Sequence, residues 1–252
     1  MYFAIEGSSI HLGGTMHVVP EGRPLARWVY DAIGMARVIY LEHDKQESDG
    51  ARYKSVWSQP IALRLPRSWP RIQRKYPPDV VSYLSTLRPS SIASQVLDFV
   101  PHDPGVERLA FARSKENLPP GPCIRFLETG AQSHAPAEHV SDDIWDDAVS
   151  WALQNPRSFG AALEASHRAW VAGDLEEIER IIDLHTISRF APIKYAVITA
   201  RNDLWLPAIR ELVESTNEPT LVLVGVAHLV GKEGLIAQLT ACGLTLATAG
   251  RL

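Results

Sequence analysis

The chain has 252 residues, of which 46% are apolar and 21% are charged, a composition typical of globular and not of disordered proteins. Its 25 basic and 29 acidic side chains give a net charge of −4, so no basic excess favours nucleic acid as a partner. The two cysteines, Cys123 and Cys242, provide neither a disulfide framework nor a CxxC metal site, and we expect both to be reduced thiols in the core.

The N-terminal residues lack the basic and apolar segments of a secretory signal, and no apolar run reaches the length of a membrane helix. We therefore expect a soluble, cytoplasmic protein without membrane insertion. The sequence does not indicate an oligomeric state.

The first 44 residues are predicted to form two strands, a helix and a third strand. Tyr2–Ile5 and Ser9–Leu12 are extended runs on either side of a turn at residues 6–8. Pro24 begins a helix whose apolar side chains recur at a spacing of three and four residues, and the β-branched run Arg37–Leu41 follows it. A strand, a helix and a strand of these lengths predict a βαβ unit with a parallel pair.

The middle of the chain is less regular. Residues 45–54 are polar and predict a loop, and residues 59–78 carry five basic and no acidic side chains beside Trp69. A phosphate site is one interpretation of this basic stripe, but we favour a solvated face. A helix is predicted over Ser90–Val100, and a strand over Cys123–Leu127 after a proline-rich break.

Helical patterns follow from Ser141, which can cap a helix with acids in its first turn. We interpret the acids of that helix as an exposed stripe; they are Asp142, Asp143, Asp146 and Asp147. Asp174 and Glu177 form a capping-box pattern, and Ala191–Glu214 predicts a helix that Pro207 kinks or divides. The final elements are predicted as strand Thr220–Val224, helix Glu233–Cys242 and strand Leu244–Ala247.

These elements predict an α/β fold with a central mixed, largely parallel sheet formed from both chain ends and an inserted, mainly helical region. We expect a single domain over residues 1–252. Residues 1–60 and 217–252 would form the two halves of the α/β core, and about 61–216 the insertion.

Two similar segments carry the clearest chemical signal. A glycine after an apolar strand is followed three residues later by a histidine, first in Gly14–His17 and again in Gly225–His228. Glycine permits close backbone approach where a strand leaves the sheet, and open α/β folds build their sites at the carboxyl edge of the sheet. One such histidine is ordinarily just hydrogen-bonded in a loop, but two copies favour a shared site.

Glu42 ends the strand of the same βαβ unit as His17. Two imidazoles and a carboxylate match a catalytic metal site with an open position for water, or a metal-free acid–base site. If the strand extends as far as His43, alternation points this side chain away from the face of Glu42; His43 and Asp44 are further candidates for the site. Signatures of zincins, α/β-hydrolases, P-loop proteins and Rossmann dehydrogenases are absent from the sequence.

The sequence resembles the TraB/GumN family. The similarity rests on GTMH at 14–17, the strand ending in Leu41-Glu42, the pair Arg201-Asn202 and GVAHLVGKEGL at 225–235. Weaker matches are Leu127-Glu128-Thr129 with Gln132, and Trp170 with Gly173-Asp174. That family includes the pheromone-shutdown protein PrgY and is similar to the Tiki metalloproteases, with erythromycin esterases as more distant relatives.

The resemblance implies that His17 and His228 hold metal or do acid–base work and that Glu42 is a metal ligand or general base. It implies that Arg201, with Asn202, binds a substrate carboxylate or stabilises an oxyanion. Glu128 is a possible further carboxylate. The chain departs from the family in having Ala200 where a glutamate is frequent and in Pro207, and we expect it to have neither the signal peptide nor the membrane anchor of many relatives.

We therefore predict a metal-dependent hydrolase, a peptidase or an amide or ester hydrolase, with His17, Glu42 and His228 on a divalent ion. Two imidazoles and a carboxylate suit manganese, zinc, cobalt or iron(II). The substrate would be a peptide or a small amide or ester. Two alternatives stay open: a protein that sequesters a peptide signal without cleaving it, and an accessory protein of conjugation or polysaccharide export.

Overall fold

The computed structural model describes residues 1–43, 60–97, 102–116 and 120–249. Within these ranges the strands are, in chain order, β1 (Tyr2–Ile5), β2 (Ile10–Thr15), β3 (Val18–Pro20), β4 (Val38–Leu41), β5 (His102–Pro104), β6 (Cys123–Phe126), β7 (Thr220–Gly225) and β8 (Leu246–Thr248).

A six-stranded sheet with the order β6-β4-β7-β2-β1-β8 forms the centre of the molecule. The four strands from β6 to β2 are mutually parallel, whereas β1 pairs antiparallel with both β2 and β8. This arrangement confirms the predicted mixed, largely parallel sheet. β6 comes from the middle of the chain and lies at the edge, so the sheet is not built from the chain ends alone.

The position of β7 determines which strand ends become neighbours. β2 and β4 belong to the predicted βαβ unit and are parallel, but β7 lies between them. Gly14 of β2 is opposite Val224 of β7, and Tyr40 of β4 is opposite Val222. The C-terminal part of the chain thus inserts its apolar strand, buried at every residue, between two strands from the N-terminal part.

The helices of the described ranges are, in chain order, α1 (Arg27–Met35), α2 (Ile61–Arg64), α3 (Trp69–Lys75), α4 (Pro78–Leu84), α5 (Pro89–Leu97), α6 (Val106–Ser114), α7 (Gly130–Glu138), α8 (Asp142–Gln154), α9 (Pro156–Ala172), α10 (Leu175–His185), α11 (Ala191–Lys194), α12 (Ala200–Ser215) and α13 (Leu235–Ala241). Two 3₁₀ turns (Ile187–Arg189, Val226–His228) and a π-helical turn (Tyr195–Thr199) complete them. None of the described helices is both long and apolar enough to span a bilayer.

Apolar side chains gather in two clusters. The first surrounds the sheet and includes Leu12, Ile39 and Val222 with the two fully buried tryptophans Trp170 and Trp205. The second lies among helices α2 to α5, α8 and α11. Its buried members include Leu65, Ile72, Leu87, Ile92, Ala148 and Ile193. The inserted region therefore has apolar packing of its own.

The predicted exposed acidic stripe is wrong for Asp146, which is fully buried. Its carboxylate accepts hydrogen bonds from the backbone N–H groups of Arg67 and Ser68. Asp142 pairs with Arg64 through two contacts of 2.7 Å. The basic stripe and the acidic helix therefore neutralise each other, and the solvated face predicted for each holds only in part.

Two further expectations are corrected. The helix over Ala191–Glu214 is divided before Ala200 by the π-helical turn, whereas α12 continues through Pro207. Both cysteines are free, but Cys123 on an edge strand and Cys242 after α13 are exposed and not in the core.

The strands β3 and β5 had no counterpart in the predictions, and the helices α2, α3, α4, α6 and α7 were predicted only as part of a mainly helical region. The polar loop at residues 45–54, the candidate Asp44 and the last residues of the helix predicted to reach Val100 lie outside the described residues.

Candidate functional site

The carboxyl ends of the four parallel strands bring the predicted site residues together. Glu128 follows β6, Glu42 follows β4, and the turns after β7 and β2 end in His228 and His17. Because parallel strands end at the same edge of a sheet, these side chains stand in a row in the order of the strands. The insertion of β7 between β2 and β4 places the two histidines and Glu42 next to one another.

The two glycine-histidine turns use their glycines differently. A Cβ on Gly14 would lie 2.7 Å from Leu229 Cδ1, so this glycine permits close packing. A Cβ on Gly225 would instead lie 3.1 Å from His17 Nε2 and 3.2 Å from Glu42 Oε1, with the ring of His228 at 3.5 Å. Three functional groups therefore converge on the space that a side chain at Gly225 would occupy, and the absence of that side chain keeps this common space open.

Each imidazole is held through its Nδ1 atom. His17 Nδ1 is 2.7 Å from Glu107 Oε1, and His228 Nδ1 is 2.8 Å from Asn202 Oδ1. A carboxylate only accepts, and the Asn202 amide nitrogen already donates to the carbonyl oxygens of His228 and Glu233. We therefore assign the proton of both rings to Nδ1, which places a lone pair on each Nε2.

Both Nε2 atoms face the same carboxylate oxygen. Glu42 Oε1 is 3.7 Å from His17 Nε2 and 3.8 Å from His228 Nε2. These separations are too long for hydrogen bonds, but they are close to the ~3.4 Å between two ligands of one tetrahedral ion with bonds of about 2.0–2.2 Å. Within the described ranges, no three His, Cys, Asp or Glu side chains are already arranged as a metal site.

The Glu42 carboxylate is fixed by other groups in its present position. Gly225 N–H donates to Oε1 at 2.6 Å, and Arg201 Nη2 donates to Oε2 at 2.7 Å. Arg201 also donates to Glu128 through Nε at 2.9 Å, so one buried guanidinium lies between two carboxylates. The donor chemistry of the set fits a divalent ion, with Oε1 as the carboxylate ligand atom and Arg201 orienting it from behind.

The charges of this group shift its pKa values. Burial alone would raise the pKa of Glu42, but Arg201, the two histidines and the Gly225 N–H outweigh burial and hold it well below the usual range. Burial also raises the pKa of Glu128; Arg201 opposes this only partly, and the negative charge of Glu42 raises the pKa further. Glu42 is therefore the better stabilised anion of the two.

The two histidines differ in exposure. The side chain of His17 is 47% exposed, whereas that of His228 is 6% exposed and its ring lies 4.5 Å from the ring of Trp205. Burial, despite the attraction of Glu42, lowers the pKa of His228 to about 3. His228 is thus neutral at physiological pH, the form in which histidine binds metals.

His43 lies beside the site residues Arg201 and Glu128. β4 ends at Leu41, so alternation does not extend to His43, and its Nδ1 lies 3.5 Å from Arg201 Nη2 and 3.8 Å from Glu128 Oε1. The oxyanion or substrate-binding role predicted for Arg201 stays a prediction, since this buried side chain already donates hydrogen bonds to Glu42 and Glu128. Asn202 contacts His228 and orients it.

A cleft of about 420 Å³ opens beside the histidines. The lining residues described by the structure include His17, His228 and Gly225, and they contain no Asp, Glu, Lys or Arg. Most of its walls are apolar and come from α9, α10 and the π-helical turn; they include Phe159, Ala162, Leu163, Ile178, Ile182 and Val197. The site can therefore receive an uncharged, apolar group next to the two imidazoles.

Sequence reasoning missed Glu107, which lies in the first turn of α6 and is 9% exposed. A lone glutamate after Gly105-Val106 carries no motif, and neither α6 nor β5 was predicted as a separate element. The weaker resemblance motifs have two kinds of contact: Glu128 pairs with Arg201, whereas Thr129 and Trp170 support the fold. Thr129 caps α7 in a capping box with Gln132, and Trp170 Nε1 donates to the Gly14 carbonyl at 2.6 Å.

The model of the TraB/PrgY/gumN family matches residues 121–248, which is about half of the chain. The match includes Glu128, Arg201, Asn202 and His228, whereas His17, Glu42 and Glu107 precede it. No curated protein and no solved structure matches the chain.

Proposed function

The chain belongs to the TraB/PrgY/gumN family, and from this premise we propose that it is a metal-dependent hydrolase of peptides or of small amides or esters. The observation that carries the proposal is the convergence of His17 Nε2, His228 Nε2 and Glu42 Oε1 around the space that a side chain at Gly225 would occupy. These three atoms would hold a manganese, zinc, cobalt or iron(II) ion. Such an ion, when bound, supplies a water molecule that ionises near neutral pH.

The residues around His17, Glu42 and His228 would orient these three side chains for metal binding. Glu107 and Asn202 direct the two Nε2 lone pairs, and Arg201 with the Gly225 N–H orients Glu42. The low pKa of Glu42 makes it a weak base, so its carboxylate suits a ligand better than a general base.

The apolar cleft supports the choice of substrate. Its volume of about 420 Å³ falls within the usual range for small-molecule sites, and the lining residues that the structure describes include no Asp, Glu, Lys or Arg. A charged group placed against the apolar walls that the structure describes would lose part of its hydration there. We therefore propose that an apolar acyl group or side chain of the substrate occupies the cleft, with the scissile carbonyl beside His17 and His228.

Metal titration tests the proposal first. Chelator-stripped protein is titrated calorimetrically with Zn²⁺, Mn²⁺ and Co²⁺, beside His17→Ala, His228→Ala and the control His102→Ala, which alters the cleft but not the ligand set. We expect about one ion per chain in the native protein and the control and at least a tenfold weaker affinity in the other two variants. Equal affinity in all four proteins would contradict the proposed site.

Turnover is then measured with the loaded protein on peptides and on N-acyl amides and esters with apolar acyl groups. Cleavage that is lost in His17→Ala and His228→Ala supports a hydrolase. Stoichiometric binding of a peptide without product would support the sequestering alternative instead. A stable protein partner that is retained by His17→Ala would support the accessory alternative.

A further inference from the structure

A buried carboxylate lies directly behind His17. Glu107 Oε1 is 2.7 Å from His17 Nδ1 and accepts a hydrogen bond of 2.8 Å from the hydroxyl of Thr15. Thr15 is the last residue of β2, two residues before His17. One oxygen of Glu107 therefore contacts both the strand end and the imidazole that this strand presents.

Backbone contacts fix where this carboxylate stands. Gly105 N–H donates to the carbonyl of His17 at 2.9 Å, and Val106 N–H donates to the carbonyl of Met16 at 3.3 Å. A Cβ on Gly105 would lie 1.8 Å from the Met16 oxygen, so only glycine permits this approach. The first turn of α6 is thus hydrogen-bonded to the same turn that carries His17, which fixes the backbone at Glu107 relative to that turn.

The opposite histidine provides an internal comparison. Asn202 contacts His228 Nδ1 at 2.8 Å, in the same way that Glu107 contacts His17, but with a neutral amide oxygen. His17 is also the more exposed of the two rings, so packing restrains it less. An exposed imidazole needs a hydrogen-bonding partner to keep its orientation. A carboxylate in that position also makes the other ring nitrogen, Nε2, a stronger metal ligand.

We infer that Glu107 is a positioning residue for the metal site: it holds His17 in the Nδ1-protonated form and thereby presents Nε2 to the space above Gly225. This inference rests on the proposed function. It adds to the site a residue that precedes the family match at 121–248 and that comes from α6, an element which no sequence motif identified.

Zinc affinity tests the inference, measured by competition with a chromogenic chelator. Glu107→Ala is expected to weaken Zn²⁺ binding about 10- to 100-fold. Glu107→Gln keeps an acceptor at the same place and should restore most of the loss. Thr15→Val is the matched control, because it removes the second contact of Glu107 and leaves its contact with His17. Urea unfolding of each metal-free variant verifies that it is folded.

Imidazole ¹⁵N NMR of the metal-free protein gives a readout that needs no metal. The ¹⁵N signals of His17 are identified because they disappear in His17→Ala. They should show the proton on Nδ1 in the native protein and in Glu107→Gln, and a shift toward the Nε2-protonated form in Glu107→Ala. Unchanged zinc affinity and an unchanged tautomer in Glu107→Ala would overturn the inference. If the native protein binds no metal, the proposed function fails, and the tautomer measurement alone decides the role of Glu107.

Discussion

The two glycine-histidine turns share a sequence pattern, but they differ in the role of the glycine, in the exposure of the imidazole and in the group that contacts it. At the turn ending in His17, the glycine permits close packing, the ring is half exposed and its partner is a carboxylate. At the turn ending in His228, the glycine keeps the site open, the ring is buried and its partner is an amide. The same four-residue spacing thus places one adjustable and one rigid imidazole around a single carboxylate oxygen.

The largest difference between the turns should appear when each histidine is removed. His228→Ala leaves a cavity and an unpaired Asn202 oxygen in the core, and is expected to lower the free energy of unfolding of the metal-free protein by about 2–4 kcal/mol. His17→Ala should cost about 1 kcal/mol or less, because the ring is half exposed. Urea unfolding measures both values; equal losses would contradict the assignment of a rigid and an adjustable ring.

A fall in pH should lower the stability of the folded protein mainly through His228. The folded pKa of His228 is lowered to about 3 from its ordinary value of 6.5, so between these values the unfolded chain binds a proton that the folded chain does not. The stability that the neutral ring contributes is therefore present above pH 6.5 and is lost as the pH falls toward 3, on the order of a few kcal/mol. Glu42 acts in the same direction at lower pH, since its folded pKa is lowered from 4.5.

The measurement is urea unfolding of the metal-free protein from about pH 7.5 to about pH 4, a range that covers most of the expected loss. In His228→Gln the loss of stability between about pH 6.5 and 5 should be smaller than in the native protein. A native profile that is flat over this interval would show that the folded state also takes up the proton.

The glycines provide a matched pair. Gly14→Ala forces a Cβ against Leu229 and should destabilise the protein by about 1–3 kcal/mol while metal affinity stays near the native value. Gly225→Ala places a methyl group against His17 Nε2 and Glu42 Oε1, so metal affinity should fall at least about tenfold. Calorimetric titration and urea unfolding are made on both variants, and the comparison fails if Gly225→Ala binds metal like the native protein.

The smallest effect concerns the support of the His17 turn. Trp170→Phe removes the buried hydrogen bond to the Gly14 carbonyl and should cost about 1 kcal/mol. Because this bond holds the backbone of β2 and not the imidazole, zinc affinity should change by less than about twofold. Thermal or urea unfolding beside a zinc titration decides whether the tryptophan acts on the fold alone.

The sequence predicted those elements and site residues whose signal lies in neighbouring residues of the chain. Apolar runs identified β1, β2, β4 and β7, and the spacing of glycine to histidine identified His17 and His228 as candidates. Glu107 could not be found in this way, because its role depends on a backbone approach of α6 to the His17 turn across some ninety residues of chain. Asp146 was misjudged for the same reason, since its partners lie between α2 and α3 and not on its own helix.

The central position of β7 has a consequence for folding during synthesis on the ribosome. Glu42 and Gly225, which meet in the finished site, are 183 residues apart, and a ribosome adding about 5–20 residues per second needs about 10–40 s to make the intervening chain. During that time β2 and β4 cannot pair with the strand that separates them in the native sheet, and their edges are open to other strands. The nascent chain is therefore most exposed to misassociation just before β7 emerges, and it acquires the site only afterwards.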